Sequence, residues 1–229
     1  MNICTIIPAA GYGKRFGGKK QFSILNRKPV IIHTLQKFYS ISKEIVLLLP
    51  EEDIKKFKIY LEKFFPYDKK IKVYPGGKYR AETVYLALKH IPDDCDLICI
   101  HDGVRPLIKK SIIYKCIKKA KKFDGAIVGV PSIDTVKIQN SNGLVKNTLP
   151  RQNVWLIQTP QIFKKHVILD AYKNLKEFKN ITDDCQLVEK IKKYRIKLVR
   201  GDYNNIKITG KQDIKICEYL MSSLYDIRK

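Results

Sequence analysis

The sequence predicts an α/β fold built on a doubly wound, mostly parallel sheet. Apolar runs of strand length alternate with stretches of helical period along most of the chain. The strands read as near-continuous apolar runs, the pattern of strands covered by helices on both faces. With 229 residues, 45 % apolar and 29 % charged, the chain suits one such domain over 1–229, and its apolar content excludes disorder.

Taken in order, the first strand is the run NICTIIP over 2–8, followed by a helix over 29–39. The run EIVLLLP at 44–50 and the shorter IKVY at 71–74 are the next strands, with helices over 51–64 and 81–90. DLICIH at 96–101 and GAIVGVP at 125–131 flank a helix over 109–123. After them come strands over 155–163 and 196–199 and helices over 164–174, 183–192 and 211–224. In the last of these, Thr209 and Gln212 stand at capping-box spacing. The segment 132–151 interrupts the alternation: short alternating runs around Asn140-Ser141-Asn142-Gly143 read as a β-hairpin arm.

The charge is strongly positive, 45 Lys+Arg against 22 Asp+Glu for a net +23. Such a balance suits anionic substrates and is also the footprint of a nucleic-acid binder. The lysines, however, come as pairs dispersed along the whole chain, on stretches that read as solvated helix faces, so no specific nucleic-acid partner is expected. Six cysteines without a C-x-x-C pair, and four scattered histidines, offer neither a disulfide framework nor a zinc site. No apolar run has the length of a spanning helix and the N-terminus lacks a signal-peptide pattern, so the expected setting is soluble and cytoplasmic.

In an open parallel sheet the ligand site lies at the carboxyl ends of the strands, near the switch in strand order. After the first strand, Gly11, Gly13, Gly17 and Gly18 alternate with Lys14, Arg15, Lys19 and Lys20. Glycines let backbone N–H groups approach an anion and the cations neutralise it, a composition suited to a polyphosphate. The loop is neither of two standard motifs. Phe16 stands where a dinucleotide-binding loop has its third glycine, and Lys20 replaces the Ser/Thr that follows a P-loop lysine. Asp102, closing a buried strand beside Arg105, suits Mg²⁺ or a similar hard divalent ion. Lys207, just ahead of the last helix, would be a further cation on the phosphates if its segment lies beside the first loop.

Together these residues resemble the 2-C-methyl-D-erythritol 4-phosphate cytidylyltransferase family over nearly the whole chain. The resemblance rests on Pro8-Ala9-Ala10-Gly11-x-Gly13-x-Arg15 with Lys20-Gln21, on Gly76-Gly77 with Arg80 and Thr83, and on His101-Asp102-x-x-Arg105-Pro106. It continues through Asp134-Thr135-x-Lys137, Arg151-x-x-x-Trp155, Gln158-Thr159-Pro160-Gln161, Thr182-Asp183-Asp184 and Asn205-Ile206-Lys207-Ile208-Thr209. It implies a Rossmann-like nucleotidyltransferase that joins CTP and methylerythritol phosphate into CDP-methylerythritol with release of pyrophosphate. On that likeness Arg15, Lys20 and Lys207 are catalytic, and Pro8, Ala9, Ala10, Gly11, Gly13, Gly77, Thr83 and Asp102 bind the nucleotide. Asp102 faces the metal. Arg105, Thr135 and Arg151 hold the second substrate, the last two on an arm that reaches a neighbouring subunit, so a homodimer is implied. The implied compartment is a bacterial cytosol, or a plastid-type compartment after removal of a targeting segment.

The chain departs from the family pattern in places. Lys19 stands where the family usually has Pro, so the choice of Lys20 rests on Gln21 fixing the register, Gly103-Val104 replaces the common Ala-Ala, and Asn204 replaces a common aspartate. The related ribitol 5-phosphate cytidylyltransferases share the fold and the nucleotide half. Pro8-Ala9-Ala10-Gly11 in place of their usual Leu-Ala-Gly-Gly, with Arg151-x-x-x-Trp155, favours methylerythritol phosphate. The rival from another class, a basic nucleic-acid-binding protein, leaves Gly11–Lys20 and Asp102 unexplained.

Overall fold

A computed structural model describes residues 1–173 and 175–226, with backbone alone over 223–226. In chain order the elements are β1 (Ile3–Pro8), β2 (Ile24–Leu25), β3 (Lys28–Pro29), α1 (Val30–Phe38), β4 (Glu44–Leu49), α2 (Ile54–Phe64) and β5 (Ile71–Pro75). Next come α3 (Arg80–Leu88), β6 (Leu97–Ile100), α4 (Lys110–Lys122), β7 (Gly125–Pro131), β8 (Lys137–Gln139), β9 (Val145–Thr148) and β10 (Trp155–Lys164). The chain ends in α5 (Lys165–Lys173), α6 (Cys185–Ile191), β11 (Ile196–Arg200) and α7 (Gln212–Asp226).

Seven strands form one sheet in the order β11-β7-β10-β6-β1-β4-β5. Among the described strands of this sheet, β10 runs antiparallel to both neighbours and the other pairs are parallel. Side chains alternate across it with the period of two that strands impose. Ile3 and Ile7 of β1 and Ile45, Leu47 and Leu49 of β4 join α1, α2 and α4 in one core. Cys4 and Ile6 of β1, with Val46 and Leu48 of β4, join α3, α5 and α6 on the other face. The doubly wound, mostly parallel architecture therefore stands as the sequence predicts it. The six cysteines are buried and free.

The sequence reading needs correction in detail. It misses the β2–β3 hairpin, whose strands are too short for any period and whose turn puts Asn26 and Arg27 at φ 43° and 64° without a glycine to signal it. The helix over 51–64 opens with a 3-10 turn at Glu51–Asp53, and Asn174 of the helix over 164–174 lies outside the described residues. The cap of α7 is not the Thr209–Gln212 box. Asp213 instead reaches back with Oδ2 to accept the N–H groups of Thr209 (2.7 Å) and Gly210 (2.8 Å) and the Thr209 hydroxyl (2.9 Å).

The arm forms as a separate two-stranded sheet, β8 with β9. Asn140 Oδ1 accepts the N–H groups of Asn142 and Leu144, and Gly143 takes φ +80° in the turn. The arm grows out between β7 and β10, and those two strands pair antiparallel, which is why β10 reverses direction.

Candidate active site

The chain passes from β1 outward through β4 to β5 and then returns to place β6 on the opposite side of β1. The carboxyl ends of β1 and β6 thus flank the switch in strand order, where open α/β sheets bind ligands. A cleft of about 150 Å³ opens there, lined by Pro8–Gly11 at the end of β1, Lys20, Gln21, the turn from Gly77 to Arg80 with Thr83, Asp102, Val104 and Lys207. Gly76 lets the two walls meet: a Cβ there would stand 2.3 Å from the Cβ of Ala10. Beyond it, the Gly77 N–H donates to Thr83 Oγ1 at 3.1 Å, and Glu82 Oε2 accepts the N–H groups of Lys78 and Tyr79 at 2.7 and 3.3 Å. The turn is therefore shaped by side chains of the helix it enters.

The glycine loop closes on itself through Gly13 and Gly18, paired backbone to backbone at 3.1 and 3.3 Å, with Gly17 at φ +76°. Gly13 is thereby a structural hinge of the loop and does not line the cleft. The adjacent lysines part company. Lys19 turns out to ion pairs with Glu52 (2.7 Å) and Asp53 (2.6 Å), whereas Lys20 lines the cleft beside the buried Gln21. Burial and the neighbouring Lys207 charge push the Lys20 ammonium below its usual pKa. Arg15 is exposed on the loop outside the cleft lining, close enough for its charge to act on Lys20 in the same direction.

Asp102 is the carboxylate of the cleft lining, 5 % exposed, and three cations surround it. Arg80 Nε meets Oδ1 at 2.9 Å, while Lys207 Nζ at 2.9 Å and Arg105 Nε at 3.3 Å share Oδ2. Burial opposes its charge, but Arg80, Lys207 and Arg105 outweigh burial and hold the carboxyl well below the usual range. Its backbone N–H donates to Thr159 Oγ1 at 3.1 Å, and that hydroxyl also meets His101 Nδ1 at 3.1 Å. Burial pushes His101 down to about 3, so it is a neutral strut. The register shift in β10 between Ile157 and Gln161 presents Gln158 and Thr159 to this end of the sheet.

Lys207 reaches the cleft because its segment is pinned on both sides. Asn205, 1 % exposed, donates to the carbonyl of Thr159 (2.9 Å) and to Gln158 Oε1 (3.1 Å), and the Ile208 N–H donates to the Val104 carbonyl at 2.9 Å. Arg105 is drawn into the same knot, its Nη1 donating to the Asn205 carbonyl at 2.8 Å, and it lies behind the lining. Thr135 and Arg151 are exposed on the arm, away from the cleft of their own chain, with Arg151 donating to the Ile133 carbonyl at 2.9 Å. The structure thus gathers Pro8, Ala9, Ala10, Gly11, Lys20, Gly77, Thr83, Asp102 and Lys207, and leaves Thr135 and Arg151 apart. Arg80, quoted in a motif without a role, and Asp184 behind it are the charged residues that sequence reasoning passed over. The signal was present: two acids and an arginine in motifs with no assigned partner.

The IspD family model, 2-C-methyl-D-erythritol 4-phosphate cytidylyltransferase, matches residues 3–223. The enzyme of that name from Caldanaerobacter subterraneus is 38 % identical over 227 residues, covering 96 % of this chain and 99 % of the relative. That from Clostridioides difficile is 41 % identical over 225 residues, covering 95 % and 93 %. Among solved structures, the 4-diphosphocytidyl-2C-methyl-D-erythritol synthase of Anaerococcus prevotii superposes with a TM-score of 0.85 at 33 % identity, covering 96 % of this chain and 98 % of that one. On these matches the chain belongs to the 2-C-methyl-D-erythritol 4-phosphate cytidylyltransferase family.

Proposed function

We propose that the cleft binds CTP and that the chain transfers its cytidylyl group to 2-C-methyl-D-erythritol 4-phosphate, giving CDP-methylerythritol and pyrophosphate. The observation that carries this reading is the convergence of Lys20, Lys207 and Asp102 on a glycine- and alanine-walled cleft at the strand switch. A phosphate oxygen of the second substrate attacks the α-phosphorus; its new P–O bond forms as the bond to the bridging oxygen breaks, and pyrophosphate leaves. No group on the protein need form a covalent bond, so its work is positioning and charge neutralisation. Lys20 and Lys207, which line the cleft, supply that charge, and Arg15, exposed on the glycine loop, would complete the cationic ring. Ala9, Ala10, Gly11, Gly77 and Thr83 surround the cytidine, and Arg105, drawn back here to Asp102 and the Asn205 carbonyl, would turn outward to hold the second phosphate.

Mg²⁺ accepts about six oxygens, usually one or two carboxylates plus phosphates and waters. The cleft lining offers one carboxylate, so the residues fit an ion that arrives with the triphosphate, with Asp102 as its protein ligand. Bound there, the ion would neutralise the triphosphate and its leaving group. Lys207, with its side chain 37 % exposed, is the partner of Asp102 best able to turn toward a phosphate instead.

The second substrate's site is completed by a second copy of the chain, whose arm would bring Thr135 and Arg151 to this cleft. Support comes from the arm itself, which holds both residues clear of their own cleft and exposes Ile138, Leu144 and Val145. The whole chain acts as one domain with that arm, and a cytosolic setting accords with its similarity to bacterial enzymes.

The test is pyrophosphate release from CTP, UTP, ATP and GTP in turn, each with methylerythritol phosphate or ribitol 5-phosphate. A base read by closely fitted backbone groups leaves those groups unpaired when it is wrong, so CTP should lead, with UTP the nearest competitor. Equal turnover of all four nucleotides, or faster turnover of ribitol 5-phosphate, would overturn the reading.

A further inference from the structure

Arg80 opens α3 between two acids. Its Nε lies 2.9 Å from Asp102 Oδ1 and its Nη2 lies 2.9 Å from Asp184 Oδ2. Asp184, fully buried just ahead of α6, accepts with Oδ1 the hydroxyl of Tyr172 at 2.8 Å, and Tyr172 is buried on α5. Neither Asp184 nor Tyr172 lines the cleft. A chain of polar contacts therefore runs from the second helical layer, through Arg80, to the carboxylate at the cleft floor.

Stability alone is a poor account of this chain. Buried ion pairs recover little beyond their desolvation cost, and apolar replacements of the same volume are often as stable. Here the desolvation is large: Asp184, paired with Arg80 Nη2 at 2.9 Å, is fully buried. The geometry does accomplish something at the cleft. By taking Oδ1, Arg80 fixes the rotation of the Asp102 carboxylate and leaves Oδ2 to Lys207 and Arg105.

We infer that Arg80 is a positioning residue that orients Asp102 toward the cleft and is itself aimed by Asp184 and Tyr172. The inference rests on the role proposed above for Asp102. Groups behind a metal ligand, when removed, typically cost about 10–100-fold in metal affinity or activity.

The experiment compares wild type with Arg80→Met, Arg80→Lys, Asp184→Asn, Tyr172→Phe and Asp102→Asn. For each, Tm is recorded, CTP binding is measured by calorimetry across a Mg²⁺ titration, and kcat and KM are determined separately. Arg80→Met should raise the Mg²⁺ concentration for half-maximal CTP binding by about 10–100-fold. Asp184→Asn should shift it the same way by less, and Tyr172→Phe by least, while Arg80→Lys should recover part of the loss. A merely structural role would lower Tm in these variants and leave the Mg²⁺ midpoint where it is. A folded Arg80→Met with the wild-type midpoint overturns the inference. Should Arg80→Met not fold, wild-type midpoints in both Asp184→Asn and Tyr172→Phe overturn it; Tyr172→Phe keeps its ring and its packing. Asp102→Asn separates the two readings. If its midpoint moves and that of Arg80→Met does not, only the positioning role fails; if its own midpoint does not move, the metal role of Asp102 fails and this inference with it.

Discussion

The cleft and the arm are built on opposite terms. At the cleft, Thr83, His101, Asp102, Thr159 and Asn205 are all buried, and each is tied to named partners on other elements. Along the arm every residue from 137 to 148 is exposed, with Leu144 65 % and Val145 67 % open. A lone two-stranded hairpin is marginal in water. The difference teaches that the polar groups of the cleft find their partners within one chain, whereas the arm leaves Leu144 and Val145 in solvent.

The largest expected effect sharpens the cleft side of this comparison. Lys20→Ala and Arg15→Ala should each lower kcat by roughly a hundredfold to a thousandfold, the usual cost of one donor that meets charge developing in the transition state. Lys19→Ala should change kcat far less, because it loses only a surface pairing with Glu52 and Asp53. Steady-state kinetics on the three variants decides it, and a crippled Lys19 variant beside an active Lys20 variant would reverse the assignment.

The next breaks or keeps the arm side. Arg15→Ala and Arg151→Ala chains should each be nearly inactive alone. Mixed and allowed to exchange, half the dimers are mixed, and each mixed dimer has one doubly damaged site and one intact site. About a quarter of wild-type activity should return if arms are exchanged across a two-fold pair. Subunit exchange shown by differently tagged chains, with no return of activity, would mean that each arm serves its own chain.

The sequence made legible those features that depend on period and on local composition. The central strands β1, β4, β6 and β7 were readable because buried parallel strands are continuous apolar runs, and the arm because Asn140 and Gly143 mark its turn. Cross-chain pairing was less legible. That Lys19 would find Glu52 and Asp53, and leave Lys20 to the cleft, depends on α2 packing beside the loop, which no local pattern states. Asp184 lies 82 positions from Asp102, and only Arg80 between them makes the two one network. The Gly103 departure gains its reason only in three dimensions: a Cβ there would stand 2.7 Å from Ile31 Cδ1 and 2.9 Å from the Ala9 Cβ.

That crowding yields a smaller effect, on stability. Ile31 is fully buried and the Ala9 Cβ cannot rotate away, so Gly103→Ala should cost about 1–3 kcal/mol by overpacking. Ile31→Val in the same chain should recover part of it, since the two side chains share one space. An arm substitution such as Lys146→Ala, at an exposed position, should stay within about 0.5 kcal/mol. Equal costs at the two sites, measured by urea unfolding, would erase the contrast between packed cleft and open arm.

The smallest effect concerns the cap that ends the Lys207 segment. Asp213 accepts the backbone N–H groups of Thr209 and Gly210 ahead of α7, and Asp213→Ala should cost about 1 kcal/mol, as loss of a helix cap usually does. Burial raises the Asp213 pKa, but the hydrogen bonds from Gly210 and Thr209, with the Lys20 charge, together outweigh it and hold the folded-state value below the ordinary one. The sign follows from that depression. Its contribution is fully present above the unfolded aspartate pKa of about 3.9 and disappears as pH falls through the lower folded value. The stability gap between wild type and Asp213→Ala should therefore hold steady from pH 7 to about pH 5 and close below about pH 4. A gap that persists unchanged at pH 3 would show that the carboxylate charge is not what holds this turn. A gap with no accompanying change in kcat at pH 7 would show that Lys207 is held by Asn205 and Ile208 alone.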